Sequence, residues 1–69
     1  MSHLEYVQKA IAKIKEEKWD DESAHEMEDF LYFQILHWIA DGSLSGEDAV
    51  ECAQEALKST DIEFARWCA

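Results

Sequence analysis

Apolar residues recur at spacings of three and four along most of this chain. In the first quarter they are Leu4, Val7, Ile11 and Ile14, which fall on one face of a helix. The sequence has no proline and only two glycines, so little interrupts helix, and no segment alternates as a strand does. With 69 residues it is long enough for one small core. The pattern predicts an all-α protein with a single domain over residues 1–69.

Four capping signals divide the chain into helices. Ser or Thr followed three residues later by an acid forms a capping box, which satisfies backbone N–H groups at a helix start. The four pairs are Ser2 with Glu5, Ser23 with Glu26, Ser45 with Asp48 and Thr60 with Glu63. They predict a bundle of three long helices, over residues 4–18, 24–41 and 46–58. Gly42 can close the second helix in the left-handed conformation of a C-cap. A short C-terminal helix carries Ile62, Phe64, Trp67 and Cys68.

The second predicted helix is apolar on two sides. One stripe contains Ala24, Met27, Leu31, Ile35 and Trp38. A second stripe, of Phe30, Phe33 and His37, lies roughly opposite. A helix with two apolar sides fits the centre of the bundle, with the first helix on one face and the third and fourth on another. In the alternative, the second stripe is exposed until another copy covers it, which predicts a homodimer interface.

The third predicted helix separates apolar from acidic residues. Its apolar side carries Ala49, Val50, Ala53, Ala56 and Leu57. The opposite side carries Glu47, Glu51 and Glu55, one helical turn apart. We therefore expect the first set to face the core and the second to face solvent.

The charge is concentrated in the middle of the chain. The formal net charge is −10, yet residues 19–57 contain no Lys or Arg. Acids in a first helical turn complement the helix dipole, but Asp29, Glu51 and Glu55 lie deeper in their helices. The acids of a predicted partner-binding face are Asp20, Asp21, Glu22, Glu26, Asp29, Glu47, Asp48, Glu51 and Glu55.

Two interpretations of this acid remain open. It is either a solvated face that keeps the protein soluble, or an electronegative surface for a basic partner. Carboxylates one helical turn apart, at about 6 Å, approximate the dense phosphates of a duplex. We therefore predict a non-enzymatic inhibitor or regulator that occupies the basic surface of a nucleic-acid-binding protein. Its composition resembles that of small acidic inhibitors encoded by phages and other mobile elements. The alternative is a structural or assembly protein that forms a homodimer through helix 2.

Other functions have weaker support in the sequence. Direct binding to nucleic acid is opposed by phosphate repulsion. His25 and Glu26 begin like a zinc-protease HExxH motif, but its second His is replaced by Asp29. We predict no catalytic residue, metal or cofactor. No apolar run is long enough for a bilayer, so we expect a cytoplasmic chain in which Cys52 and Cys68 are free thiols.

Overall fold

Residues 2–64 are described by the computed structural model, and they fold as a small helical bundle. Helix α1 spans His3–Glu16, α2 spans Asp21–Ala40, and α3 spans Gly46–Ala56; a 3₁₀ helix, Leu57–Asp61, follows directly. The bundle measures 33 × 19 × 18 Å. The all-helical prediction is confirmed for this part of the chain. Across residues 2–64, no helix combines the length and apolar character that crossing a bilayer requires.

Helix α1 forms as its sequence predicts. The Ser2 hydroxyl accepts the Glu5 N–H at 3.1 Å, and the Glu5 carboxylate accepts the Ser2 N–H at 3.3 Å. This completes the capping box. Val7, Ile11 and Ile14 are buried on one face. Local capping and the apolar stripe therefore act together to place this helix in the core.

Helix α2 begins three residues earlier than predicted, and the prediction of Ser23 as its cap is wrong. The cap is Asp20, whose carboxylate accepts the Ser23 N–H at 3.3 Å and the Ser23 hydroxyl at 3.1 Å. Ser23 is thus a donor inside the first turn. Aspartate is among the best N-cap residues, and its charge also complements the helix dipole.

Asp20→Ala is expected to lower the free energy of unfolding by about 1 kcal/mol, because it removes the side-chain acceptor at the start of α2. Ser45→Ala is the matched control, since Ser45 is the cap residue of α3 but makes no side-chain cap hydrogen bond. Urea unfolding followed by circular dichroism measures both. Equal effects of the two substitutions would contradict the assignment of Asp20 as the cap.

The end of α2 turns the chain back beside α1. Gly42 has φ +84°, which confirms its predicted left-handed conformation. The Leu44 N–H then donates to the Trp38 carbonyl at 3.1 Å. Trp38 also contacts the first turns of α1, with ring centroids 4.3 Å from His3 and 5.2 Å from Tyr6. The C-terminal end of α2 therefore lies beside the N-terminal end of α1, and the two helices are antiparallel.

The C-terminal part differs from the prediction. Helix α3 ends at Ala56, and the chain continues as the 3₁₀ helix. The Thr60 hydroxyl donates to the Leu57 carbonyl at 2.8 Å, a local side-chain bond within the 3₁₀ helix. Ile62 and Phe64 lie outside helix, which makes the prediction of a fourth helix wrong as far as residue 64. Its other two members, Trp67 and Cys68, lie outside the described residues.

The prediction that helix 2 is the central helix is also wrong. Helices α1 and α3 each pack against the other two α-helices and against the 3₁₀ helix, whereas α2 packs mainly against α1 and α3. The inner stripe of α2 is buried at Ala24, Leu31 and Ile35, as predicted. Its second stripe is not covered, because Phe30 and Phe33 are exposed. Helix α2 thus contributes one face to the core and presents the other to solvent.

Helix α3 is rotated relative to its predicted orientation. Cys52 and Ala56 are its buried residues, whereas Val50, Ala53 and Leu57 are exposed. The prediction that Val50, Ala53 and Leu57 face the core is therefore wrong, whereas Ala56 is buried as predicted. The distance between packed helices depends on the side chains at the contact, and small side chains let α3 lie close to the core.

Candidate functional site

The acids at the start of α2 form one exposed group, which we name the α2 acidic group. It contains Asp20, Asp21, Glu22, Glu26 and Asp29. Asp20 accepts from Ser23 as the helix cap, and Asp29 Oδ1 lies 3.7 Å from Nε2 of His25, a residue with a largely buried side chain. All five side chains reach solvent, so the group presents its carboxylates outward.

A second exposed group, the α3 acidic group, contains Glu47, Asp48 and Glu51. Glu55 was predicted to belong to this face, but the structure sets it apart. Its side chain is only 18% exposed, and its Oε1 lies 3.0 Å from Nζ of Lys58. The prediction that Glu55 faces solvent is therefore wrong, because this carboxylate is partly buried beside a cation.

The structure does not bring the two acidic groups together. Asp48 and Glu51 line a cleft of about 240 Å³ with Ser2 and His3, at the N-terminal end of α1. The α2 acidic group begins at the opposite end, because α1 and α2 are antiparallel. From Glu26 to the end of α2 is about 20 Å at 1.5 Å per residue. The acidic surface thus consists of two separate groups, toward the two ends of the bundle.

Two lysines, Lys13 in α1 and Lys18 just after it, contact neighbours in the same segment. Lys13 Nζ lies 3.8 Å from Glu16 and 3.9 Å from Glu17, both in the same helix or its cap. Lys18 Nζ lies 4.9 Å from the centre of the Trp19 ring. The contacts of these two cations are therefore with nearby side chains that do not belong to the α2 or α3 acidic group.

Next to the α2 acidic group lies an apolar surface, which we name the outer face of α2. Phe30, Phe33 and Leu36 are 59%, 60% and 64% exposed, and His37 is exposed beside them. The rings of Phe33 and His37 meet edge to face at 4.5 Å. Between this face and α1 runs an open groove of about 760 Å³, lined mainly by apolar side chains. Phe30, Phe33 and His37 are the second stripe of the sequence analysis, and the structure shows all three exposed, with Leu36 beside them.

One acid of α2 has a different role, which sequence reasoning missed. Glu28 is buried, and its Oε2 accepts the hydroxyl of Ser59 at 2.7 Å. The Tyr32 hydroxyl lies 2.5 Å from the same Ser59 oxygen. Since the single Ser59 proton goes to Glu28, Tyr32 donates to Ser59. These hydrogen bonds hold the 3₁₀ helix against α2. Glu28 and Ser59 are both buried, so the network has a structural role.

Cys52 is likewise enclosed. Burial, with the charges of Asp48 and Glu51 nearby, raises the pKa of its thiol. A reactive cysteine needs the opposite environment, one that stabilises the thiolate. The environment of Cys52 therefore suits a small core residue.

No protein family model, curated protein or solved structure matches the chain. Within residues 2–64, no three or more His, Cys, Asp or Glu side chains are grouped so as to hold a metal ion. The two acidic groups and the outer face of α2 are the exposed features of this structure that could bind a partner.

Proposed function

We propose that this protein is a non-enzymatic binding module, an inhibitor or regulator that occupies the basic surface of a nucleic-acid-binding protein. The exposure of the α2 and α3 acidic groups is the observation that supports it most. Carboxylates that were needed only for helix capping would be confined to first turns. Glu26, Asp29 and Glu51 are exposed beyond the first turn of their helices.

The size of the bundle supports competition with a duplex. Its long axis is 33 Å, and one turn of B-DNA is about 34 Å. Acidic groups toward the two ends can engage two separate basic patches of the same target. A protein that binds phosphates offers such patches, because it neutralises several phosphates along the duplex with Lys and Arg.

A rigid support favours this kind of binding. The α2 acidic group lies on a helix of 20 residues, and the α3 acidic group lies in the first two turns of α3. Helices hold side chains in fixed relative positions, which lowers the entropic cost of ordering charges at an interface. The charged surface acts chiefly by speeding association with an oppositely charged partner.

Affinity capture from the native host tests the proposal. One bait is the wild-type chain, and the other carries amides in place of six acids. These are Glu22, Glu26, Asp29, Glu47, Asp48 and Glu51. The wild type is expected to retain basic nucleic-acid-binding proteins that high salt releases, and the amide variant is expected to lose them. Retention of the same proteins in equal amounts by both baits would contradict the proposal.

A further inference from the structure

We infer that the outer face of α2 is the interface of an antiparallel homodimer, in which α2 of one copy crosses α2 of the other. This inference does not rest on the proposed function: it concerns a second copy of the same chain and a surface that shares only Glu26 with the α2 acidic group. The order of charged and apolar residues along α2 indicates that a second copy covers this face.

The outer face has a seam that suits another helix. Glu26, Phe30, Phe33 and His37 follow one another at spacings of four, three and four, the spacing of a helix–helix seam. All four are exposed. The two aromatic residues occupy its middle, the acid its start and the imidazole its end.

Only an antiparallel crossing pairs these residues favourably. It places Phe30 of each copy against Phe33 of the other, and Glu26 against His37 at both ends. An imidazole N–H donates to a carboxylate in either protonation state of the ring. A parallel crossing would set Glu26 and Asp29 beside their own copies, and like charges in contact oppose association. A two-fold axis between the helices generates both Glu26–His37 pairs at once.

The groove beside this face gives the second copy's aromatic rings a place to bind. It is about 760 Å³ in volume, and Phe30, Phe33 and Met27 of α2 line it with Tyr6 and Ala10 of α1. Aromatic side chains that enter such grooves dominate the affinity of many interfaces. Lys13 also lines the groove, within reach of the second copy's acids.

Each chain carries a net charge of −10, so two copies repel each other. Salt screens this repulsion and leaves the apolar contact intact. The dimer is therefore expected to become tighter as salt is raised. Binding to a basic target has the opposite salt dependence, so the two interactions can be told apart in the same buffers.

Sedimentation equilibrium from micromolar to millimolar protein tests the dimer. Phe33→Glu is expected to give a folded monomer, with the dissociation constant of the dimer raised by at least about 100-fold, since the change occurs twice in each dimer. Val50→Glu is the matched control, because it adds the same charge at an exposed apolar residue of α3 and should leave the dimer intact.

A second set of variants tests the Glu26–His37 pairs at the two ends of the seam. His37→Glu is expected to weaken the dimer by about tenfold, and adding Glu26→Lys to it should restore the affinity. Several outcomes would overturn the inference: a wild-type chain that stays monomeric at every concentration, a Phe33→Glu variant that dimerises like wild type, or one that loses its helical circular dichroism. The last result would place Phe33 in the core.

Discussion

Replacing Glu22, Glu26 and Asp29 with their amides is expected to slow association with the basic target by about 10-fold or more at low salt. The three side chains are exposed, so their removal leaves no cavity. Helix propensity changes little on going from glutamate to glutamine. Asp20, the cap of α2, is untouched. The effect should therefore appear in the association rate and shrink as salt is raised.

The α3 acidic group is expected to behave in the same way when Glu47, Asp48 and Glu51 are amidated. Glu55 is kept, because it pairs with Lys58. A control variant removes three acids elsewhere, at Glu16, Glu17 and Glu63, two of which already pair with Lys13. Surface plasmon resonance at low and high salt measures all three variants. Equal losses for the control variant would mean that net charge alone governs binding, with no role for the placement of the two groups.

Leu31→Ala is expected to leave a large fraction of the chain unfolded. Leu31 is 1% exposed in the core between the helices, and such truncations cost about 2–5 kcal/mol. A domain of this size has roughly 3–5 kcal/mol of stability in total. Leu36→Ala is the matched control, since it is the same change in the same helix at a residue 64% exposed.

Thermal unfolding by circular dichroism measures both leucine variants, at protein concentrations low enough to keep the chain monomeric. The Leu36 variant should melt close to wild type. The Leu31 variant should melt at least about 10 °C lower, because 1 kcal/mol shifts the midpoint of a domain this small by about 4–8 °C. Similar midpoints for the two variants would show that α2 does not bury the face assigned to the core.

The parts of the fold that sequence predicted well are those where local signals agree. In α1 the capping box and the apolar stripe give the same helix and the same inner face. At the start of α2 two residues compete for the cap, and the pattern of Ser23 with Glu26 is as good a motif as Asp20. The competition is decided by the two hydrogen bonds that Asp20 accepts from Ser23.

Hydrophobicity did not predict the orientation of α3, because Val50 and Leu57 are larger apolar residues than Cys52 and so define the more hydrophobic side of the helix. The core accepts Cys52 together with Ala56, which is predicted to face inward, and the small side chains of both permit close approach of helices. Residues 62–64, where the fourth helix is predicted to begin, are not helical. Just before them, the Thr60 hydroxyl donates to the Leu57 carbonyl within the 3₁₀ helix.

Within the candidate site, sequence identified the acidic residues but not their arrangement. Their exposure follows from local pattern, and only Glu55 departs from it. Their division between two ends depends on the antiparallel packing of α1 and α2, which is a property of the tertiary fold. Glu28 does fall on the inner stripe, four residues after Ala24 and three before Leu31. Its partner Ser59 is 31 residues away, which no local pattern reveals.

Competition between this protein and a nucleic acid for the captured target is the most direct test of the proposed function. The target is first bound to a fluorescent duplex or single strand that it recognises, and the wild-type chain is titrated in while anisotropy is followed. We expect the wild-type chain to release the labelled nucleic acid in full. The variant with amides in place of six acids should release it only at much higher concentration. A ternary complex that keeps the nucleic acid bound, or equal release by both proteins, would contradict occupation of the basic surface by these acids.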